Sequence, residues 1–188
     1  ETPPPAESTT HWINAGVYII EPEMLRYTPE NTHFMFEKGL FPLLIERGEP
    51  VYGFTFDGYW VNMTSPGEYL FLNFDLLASR SSSPLTNGLA GTVIRGNNCV
   101  MHPSARIVAP VIIGDRCRIG RDTLVKGPAV IGPDCSVEIG VVMEKAVLLD
   151  NVHVGAGSRL EQCVICGHTT LHPGSDLRDC VVNHDEIF

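Results

Sequence analysis

The chain has 188 residues, with 22 acidic side chains against 13 Lys and Arg and a formal net charge of −9. A hydrophobic fraction of 44% excludes a disordered tail, and the length suffices for one ordinary domain or two small ones. An acidic chain without a run of Lys or Arg is a poor partner for nucleic acid or anionic lipid. No apolar stretch reaches the roughly 18 residues that span a bilayer, so we expect no membrane insertion.

The composition changes near residue 90. Residues 1–90 hold 11 acidic and 4 basic side chains and no Cys, whereas the remainder holds 11 acidic and 9 basic side chains and all six Cys. A Ser-rich segment that ends at Pro84 has the composition of a linker. We therefore predict a linker over residues 81–90 between two different architectures. The chain begins at Glu1 with neither Met nor a signal-peptide pattern, so we expect it to start within a longer sequence.

The first part alternates strand and helix patterns. Apolar runs predict strands over residues 13–20, 51–56 and 59–63. Apolar residues at spacings of three and four predict a helix over residues 34–47, which Gly48 ends. The pattern is that of an α/β domain.

A second helix follows these strands. Ser65 has the properties of an N-cap, Pro66 stands at the first helical position, and Glu68 completes a capping box. The resulting order of strand, helix, two strands and helix is typical of the closing part of a larger sheet. About 80 residues is short for a complete α/β domain.

The second part is a hexapeptide repeat. An aliphatic side chain occupies every sixth position at Met101, Ile107, Ile113, Ile119, Val125, Ile131 and Val137. A fixed period over several units predicts a coil with three short flat faces, 18 residues per turn, and coils stacked about 4.8 Å apart. The period fails over residues 140–148, where we expect a protruding loop, and it resumes at Val154. We predict a left-handed parallel β-helix of about five coils, capped by the polar residues 183–188.

The cysteines fit this architecture. Cys99, Cys117 and Cys135 are 18 residues apart, so they are expected to stack at one corner, within reach of a disulfide. We favour a structural role, because equivalent positions hold Ala or Thr. Cys163 and Cys166 resemble a metal or redox pair, but the chain has no second such motif. Reduced structural thiols predict a cytoplasmic protein.

Four histidines offer an enzymatic hypothesis. Many hexapeptide β-helix proteins are acyltransferases with a His general base, and His102, His153, His168 and His172 are the candidates. The alternative is that these are solvated polar side chains, which we favour because a fold alone does not define an activity. The densest basic cluster is interleaved with acidic residues and predicts a solvated or inter-subunit face. It consists of Arg116, Arg118, Arg121 and Lys126.

Four segments of the first part occur in the order of known family motifs. Glu1–Pro3, Ile13–Tyr18, Phe36–Pro42 and Gly58–Pro66 resemble successive motifs of the sugar-1-phosphate nucleotidylyltransferases. The sequence is most similar to the branch of mannose-1-phosphate guanylyltransferases and glucose-1-phosphate nucleotidylyltransferases. This resemblance implies that residues 1–80 are the C-terminal part of a Rossmann-like α/β nucleotidyltransferase domain and that residues 91–188 are its left-handed β-helix.

The same resemblance implies a sugar-phosphate site. Its members are Glu1, Asn14, Ala15, Gly16, Glu37 and Lys38. In the family the first of these contacts the sugar hydroxyls, the Asn-Ala-Gly segment lines the sugar pocket, and the Glu-Lys pair lies near the sugar and its phosphate. The family also uses a catalytic Mg²⁺.

The chain departs from the family pattern at two of its motifs. Thr2 stands where the family has a Lys for the sugar phosphate, and Asn62 stands where it has an Asp for Mg²⁺. The glycine-rich nucleotide loop, the Pro-Lys pair and the other metal Asp, which precede Glu1 in the family, do not occur in the sequence. Nucleotidyl transfer depends on positioning phosphates and neutralising their charge. We therefore expect this chain alone to be inactive and to bind no Mg²⁺.

Three functions follow from these patterns. The first is the C-terminal portion of a nucleotidyltransferase that makes an NDP-sugar and pyrophosphate from an NTP and a sugar 1-phosphate. The second is a non-catalytic or regulatory relative that binds a sugar phosphate or nucleotide sugar. The third is a hexapeptide acyltransferase. In each case we expect a homo-oligomer through the β-helix, and neither the sugar nor the base is specified.

Overall fold

The structure is a computed structural model that describes residues 12–78 and 88–184 and the backbone of residues 186–187. It divides into two compact units, Glu1–Trp60 and Val61–Phe188. Residues 79–87, which include most of the predicted linker, lie outside the described residues, as do Glu1 and Thr2. The predicted domain bounds of 1–80, 81–90 and 91–188 therefore stay a prediction. No helix within the described residues combines the length and apolarity needed to cross a bilayer.

The first unit is built from short helices. A 3-10 helix spans Pro22–Tyr27, and a π-helical turn over Phe36–Leu40 leads directly into α1, Phe41–Glu46. The helix predicted over residues 34–47 is thus present, although it begins two residues later. Gly48 follows α1 with a φ of +72° and ends it, because this left-handed conformation is inexpensive only for glycine.

The strands predicted in the first part are not found. The described residues of 12–63 contain no strand, so the expectations for 13–20, 51–56 and 59–63 are wrong for this structure. A strand requires a hydrogen-bonded neighbour, and none is present in the described part of the unit. Val17 is 80% exposed and Ile19 is fully exposed, so their apolar side chains have no sheet to cover them.

The second unit begins with α2, Pro66–Leu77. Its predicted capping box is confirmed: the Glu68 backbone N–H donates to the Ser65 hydroxyl at 3.2 Å, and the Ser65 backbone N–H donates to the Glu68 carboxylate at 2.8 Å. These bonds satisfy amide groups that have no partner within the helix.

Three parallel sheets form the predicted β-helix. Sheet A contains β1 Val93–Arg95, β4 Val111–Ile113, β7 Ala129–Ile131, β10 Val147–Leu148, β13 Val164–Ile165 and β16 Val181–Asn183. Sheet B contains β2 Val100–Met101, β5 Arg118–Ile119, β8 Ser136–Val137, β11 His153–Val154 and β14 Thr170–Leu171. Sheet C contains β3 Arg106–Val108, β6 Leu124–Lys126, β9 Val142–Glu144, β12 Arg159–Glu161 and β15 Asp176–Arg178.

The chain visits the sheets in rotation, which gives five coils when they are counted from β2 to β16. The final strand β17, Glu186–Ile187, pairs antiparallel with β16 and confirms that the tail covers the end of sheet A. Every sixth aliphatic residue points inward as predicted, and the inward residues of neighbouring coils form one continuous core. The hexapeptide β-helix is therefore confirmed.

The loop expected over residues 140–148 is absent, and the coil instead becomes shorter. Val125 pairs with Met143, so the number of residues between paired positions of successive coils is still the same as in the earlier coils. Ile131, in contrast, lies beside Leu148, which is one position closer along the chain than that spacing requires. All later coils keep the shorter spacing, as the pairing of Leu160 with Leu177 shows. The repeat changes at one corner while the strands continue in register.

The corner from sheet C to sheet A has two forms. The two longer corners contain the cis peptide bonds Ala109–Pro110 and Gly127–Pro128. The three shorter corners each turn on one residue with a positive φ, namely Lys145, Gln162 and Asp179. One left-handed residue redirects the chain sharply, which removes the need for an additional residue.

The outer face of sheet A is apolar, and α2 packs on part of it. Its outward side chains are Ile94, Ile112, Val130, Val147, Val164 and Val181. Leu70 of α2 packs on Val147 and Val164 and is buried with them, and Phe74 adds to the same cluster. This contact explains why α2 belongs to the same compact unit as the β-helix.

Candidate functional site

The predicted sugar-pocket residues of the first unit are joined through Tyr18. The Asn14 side-chain amide donates to the Tyr18 hydroxyl at 2.6 Å, and that hydroxyl donates to the Glu37 carboxylate at 2.6 Å. Asn14 also accepts the backbone N–H of Gly16 at 3.0 Å, which closes a tight turn. The structure thus brings Asn14 and Gly16 together with Glu37, which belongs to a different element further along the chain.

Aromatic packing holds Tyr18 in place. Its ring meets Phe41 edge-on with a centroid distance of 4.9 Å, and Phe36 lies 6.3 Å away. Both phenylalanines belong to the helical segment that carries Glu37, and edge-to-face pairs are favourable at these distances. The extended segment around Tyr18 is consequently fixed against the helix that presents the carboxylate.

Trp60 completes this cluster on a second side. Its indole N–H donates to the backbone carbonyl of Ala15 at 3.2 Å, across 45 residues of sequence. The indole is 39% exposed, so part of the ring remains accessible. The group therefore combines a carboxylate, an amide and an aromatic ring at one place on the surface of the first unit.

The hydrogen bonds set the charge of the site. The Tyr18 hydroxyl holds the pKa of the Glu37 carboxyl below its ordinary value of 4.5, because it donates to the ionised form. The same bond raises the pKa of Tyr18 above 10.0. Near neutral pH the site presents an ionised carboxylate that can only accept hydrogen bonds, which suits a ligand rich in hydroxyl groups.

Gly16 has a conformational role at this site. Its φ is +70°, and a Cβ at this position would meet no atom within 4 Å. The backbone turn, rather than a close neighbour in this structure, therefore requires glycine there.

The remaining predicted site residues are placed as follows. Lys38 is exposed next to Glu37, whereas Glu1 lies outside the described residues. Asn62 is exposed and belongs to the second unit. Tyr18 and Trp60 were not among the predicted site residues, although both lie in the segments that carry the family resemblance.

The residues around Asn62 do not fit the Mg²⁺ that the family resemblance implies. The described residues contain no group of three or more His, Cys, Asp or Glu side chains that could hold a metal ion. The acidic residue that follows Asn62 is Glu68, and one of its oxygens accepts four hydrogen bonds from Thr64 and Ser65. This carboxylate serves the helix cap, and Asn62 alone is a weak ligand for a hard cation.

Three of the four candidate histidines hydrogen-bond Ser or Asn side chains of the β-helix. His153 hydrogen-bonds Ser136 at 2.6 Å, His168 hydrogen-bonds Asn151 at 2.9 Å, and His102 contacts Ser104 at 2.8 Å. Each of these bonds joins neighbouring coils or neighbouring residues. His102 and His172 follow the first and last strands of sheet B, four coils apart. An acyl-transfer role for these residues stays a prediction.

The predicted cysteine column is present. Cys99, Cys117 and Cys135 occupy equivalent corners, and all six cysteines are free thiols. Each of the three donates to a backbone carbonyl of the next coil at 3.0 Å. Burial raises the pKa of Cys117, and it raises the pKa of Cys135 to about 11. These thiols are therefore poor nucleophiles and fit the predicted structural role.

Two of the four members of the basic cluster, Arg116 and Lys126, form ion pairs with neighbouring carboxylates. Arg116 makes a bidentate pair with Asp134, with both N–O distances at 2.6 Å. Lys126 pairs with Glu144 at 3.2 Å on the face of sheet C. Both pairs are solvent-exposed, as expected for a solvated face.

Comparisons with known proteins show which proteins the chain resembles. Residues 107–187 match the family model described as the GMPPB C-terminal domain. Mannose-1-phosphate guanylyltransferase of Mycobacterium tuberculosis is 27% identical over 149 residues, which cover 79% of this chain and 36% of the relative. UTP–glucose-1-phosphate uridylyltransferase of Synechocystis is 29% identical over 163 residues, covering 85% of this chain and 42% of the relative.

The chain is similar to the C-terminal region of sugar-1-phosphate nucleotidyltransferases. A fungal member, mannose-1-phosphate guanyltransferase of Debaryomyces hansenii, is 33% identical over 106 residues, which cover 55% of this chain and 28% of that protein. The two longer alignments exceed the length of the second unit, so they extend into the first unit. The chain spans less than half the length of these three relatives.

Proposed function

We propose that this chain is the C-terminal part of a nucleotidyltransferase that makes an NDP-sugar and pyrophosphate from an NTP and a sugar 1-phosphate. In that reaction a phosphate oxygen of the sugar 1-phosphate attacks the α-phosphorus of the NTP, and pyrophosphate leaves. The observation that supports the proposal is the hydrogen-bonded chain from Asn14 through Tyr18 to Glu37, with Trp60 beside it. These groups form the sugar-side wall of the site.

Each group has a distinct part in binding. The Glu37 carboxylate accepts hydrogen bonds from sugar hydroxyls, and the accessible part of the Trp60 ring covers an apolar face of the sugar. Lys38 supplies positive charge for the phosphate. Tyr18 is a positioning residue, because its hydroxyl orients Asn14 and Glu37. With Thr2 and Asn62 at the two altered positions, we expect binding of the sugar phosphate without nucleotidyl transfer by this chain alone.

Direct binding tests the proposal. The chain would be titrated with mannose 1-phosphate and glucose 1-phosphate, and contact would be followed by saturation-transfer NMR. Replacing Glu37 with Ala is expected to weaken binding about tenfold or more, in line with the loss of a hydrogen bond to a charged group. Glu46→Ala, at an exposed carboxylate at the end of α1, is the matched control. Equal binding by both variants, or none by the unmodified chain, would contradict the assignment.

A non-catalytic relative is the second candidate, and the surroundings of Asn62 favour it. Because Asn62 stands at the family's Asp position and the Glu68 carboxylate serves the cap of α2, the chain is suited to holding a nucleotide sugar rather than making one. Asn62→Asp with Thr2→Lys, made in a longer chain that carries a glycine-rich nucleotide loop ahead of Glu1, tests this view. If the double variant gains Mg²⁺-dependent release of pyrophosphate from GTP and mannose 1-phosphate, the two positions explain the inactivity that we expect. If it gains only Mg²⁺ affinity, the non-catalytic function is favoured.

We also propose that the chain is cytoplasmic and assembles as a homo-oligomer through its β-helix. The free thiols favour a reducing compartment. Part of the outer face of sheet A is occupied by α2, so we place the contacts between copies on the outer faces of sheets B and C. Sedimentation equilibrium checks the assembly: a mass of 20.6 kDa at micromolar concentration would contradict it.

A further inference from the structure

Two cysteines of the fourth and fifth coils lie directly against each other. Val164 pairs with Val181 in sheet A, so the preceding residues, Cys163 and Cys180, occupy the same corner in successive coils. Their sulfur atoms are 3.5 Å apart. Coils stacked about 4.8 Å apart place the two Cα atoms within the range that a disulfide requires. Joining the sulfurs therefore needs only side-chain rotation.

The two thiols differ in access to solvent. Cys163 is fully buried in the core of the β-helix. Cys180 is partly exposed and lines a groove between α2 and sheet A, together with Leu70, Phe71 and Val181. The groove is open and mainly apolar, so a small neutral solute can reach Cys180, whereas Cys163 lies behind it.

The sequence motif indicates a different pairing. Cys163 and Cys166 form the Cys-x-x-Cys pattern, but in the structure the contact of Cys163 is with Cys180, 17 residues later. In the preceding coils the same corner position is occupied by Val111, Ala129 and Ala146. At this corner position, a thiol occurs in the last two coils alone, and these two coils are neighbours.

We propose that Cys163 and Cys180 are a modification site that forms a disulfide when the protein meets a hydroperoxide, linking the fourth coil to the fifth. Hydrogen peroxide first oxidises Cys180: its thiolate attacks one peroxide oxygen, the O–O bond breaks, sulfenic acid forms, and the departing hydroxide takes up the proton that the thiol released and becomes water. The sulfur of Cys163 then attacks the sulfenic sulfur. Hydroxide leaves and takes the Cys163 proton as a second water, so two thiols are oxidised and one peroxide is reduced.

The order of these steps follows from the surroundings. Burial raises the pKa of Cys163 to about 12, so this thiol is a poor first nucleophile. The Cys163 sulfur can attack once the sulfur of Cys180 has become an electrophile, because the two sulfurs are in contact. The groove supplies the route for the peroxide to Cys180.

Peptide mapping tests the pairing directly. The full chain is treated with hydrogen peroxide, remaining thiols are alkylated under denaturing conditions, and the protein is digested with trypsin without reduction. Cleavage after Arg159 and Arg178 leaves Cys163 and Cys166 in peptide 160–178 and Cys180 in peptide 179–188. The expected product is these two peptides joined by a disulfide, with Cys166 alkylated. A disulfide confined to peptide 160–178, or three alkylated thiols, would overturn the proposal.

Alanine variants provide matched controls, because Ala129 and Ala146 already occupy this corner in the second and third coils. Cys166→Ala should retain the linked peptides. Cys163→Ala should abolish the link and leave Cys180 as a sulfenic acid that dimedone traps in a 1:1 ratio. Absence of the dimedone adduct, or a link that persists, would show that the accessible thiol is not the first to react.

The link should also be visible as a change in stability. Oxidation is expected to raise the thermal midpoint of the β-helix by several degrees in the unmodified chain, because it closes a 17-residue loop in the unfolded state. The rise should be reversed by dithiothreitol and absent from Cys180→Ala. An unchanged midpoint in a chain shown to be linked would contradict the locking of the two coils.

Discussion

The two units of the chain bury their apolar residues to very different extents. The second unit has a continuous core in which residues such as Ile131 and Leu148 are inaccessible to solvent. In the first unit, Leu40 and Leu44 are the buried hydrophobic side chains among the described residues, while Val17, Ile19, Tyr52 and Phe54 are exposed. The difference arises from the distance along the chain at which each element finds its partner.

A coil of the β-helix is completed by the coil that follows it directly in the sequence, so the second unit contains the partners of its own strands. An α/β segment instead depends on strands that can be far away in sequence. The first unit is held by a few side-chain contacts, chiefly those of Tyr18 and Tyr27, rather than by a sheet. Four predictions test this contrast, beginning with the largest expected effect.

Removing a core side chain should distinguish the units most strongly. Ile131→Ala deletes fully buried methyl groups from the β-helix and should lower the free energy of unfolding by about 2–5 kcal/mol. Val17→Ala, at a side chain that is 80% exposed, should change it by less than about 0.5 kcal/mol. Urea unfolding followed by circular dichroism measures both. Equal effects would show that Val17 is buried in solution.

Two glycines with different roles should respond differently to Ala. At Gly127 a Cβ would lie 2.0 Å from the backbone oxygen of Pro110 in the preceding coil, so Gly127→Ala should destabilise the β-helix by about 1–3 kcal/mol. At Gly16 the cost is conformational only, about 1–2 kcal/mol, and is confined to the first unit. Thermal melts of each variant provide the comparison. Stability of the β-helix that is unchanged by Gly127→Ala would contradict the close approach of these coils.

The cap of α2 should contribute a moderate amount. Ser65→Ala removes the acceptor for the Glu68 amide and should cost about 1 kcal/mol. Ser65→Gly should cost only a few tenths of a kcal/mol, because glycine is also favoured at this position. Since α2 packs on part of sheet A, hydrogen exchange at Val147 and Val164 should accelerate in the Ala variant. Unchanged exchange at these two residues would show that loss of the cap does not loosen the packing of α2 on sheet A.

The smallest effect concerns the charge of the candidate site. Tyr18→Phe removes the hydroxyl that holds the pKa of Glu37 below 4.5, so that pKa should rise toward its ordinary value. Because the folded-state pKa is the lower one, this bond stabilises the fold above about pH 4.5, and its contribution is lost as the pH falls through the folded-state pKa. NMR titration of the Glu37 side chain measures the change. If the pKa of Glu37 is unaltered in Tyr18→Phe, the Tyr18 hydroxyl does not have the positioning role that we propose.

The sequence predicted the β-helix well because its signal is local and repeated. Ile107 to Val137 keep one period, and each inward position reports the same environment. The error over residues 140–148 has a specific cause: Met143 and Leu148 are both inward, but they are one position closer together than a strict period of six requires, so the period appears to fail. A positive φ at Lys145 is what shortens the corner, and Lys is not a residue type that signals this conformation.

The site was only partly predictable for the opposite reason. Asn14, Gly16 and Glu37 were named through the family resemblance, and the structure brings them together. Tyr18 was missed because its role depends on a hydroxyl that reaches 19 residues along the chain, and Trp60 because its partner is a backbone carbonyl 45 residues away. No periodicity in the sequence reports contacts of this kind.

The two forms of the corner between sheets C and A bear on how such chains change length. A residue is lost there without any strand leaving its register, as Val130 paired with Val147 shows. We therefore expect this corner to tolerate single-residue deletions and insertions, whereas the same change within a strand would turn its inward side chains outward. Relatives that differ in length should accumulate their differences at this one edge of the prism, with the stacked aliphatic core unaffected.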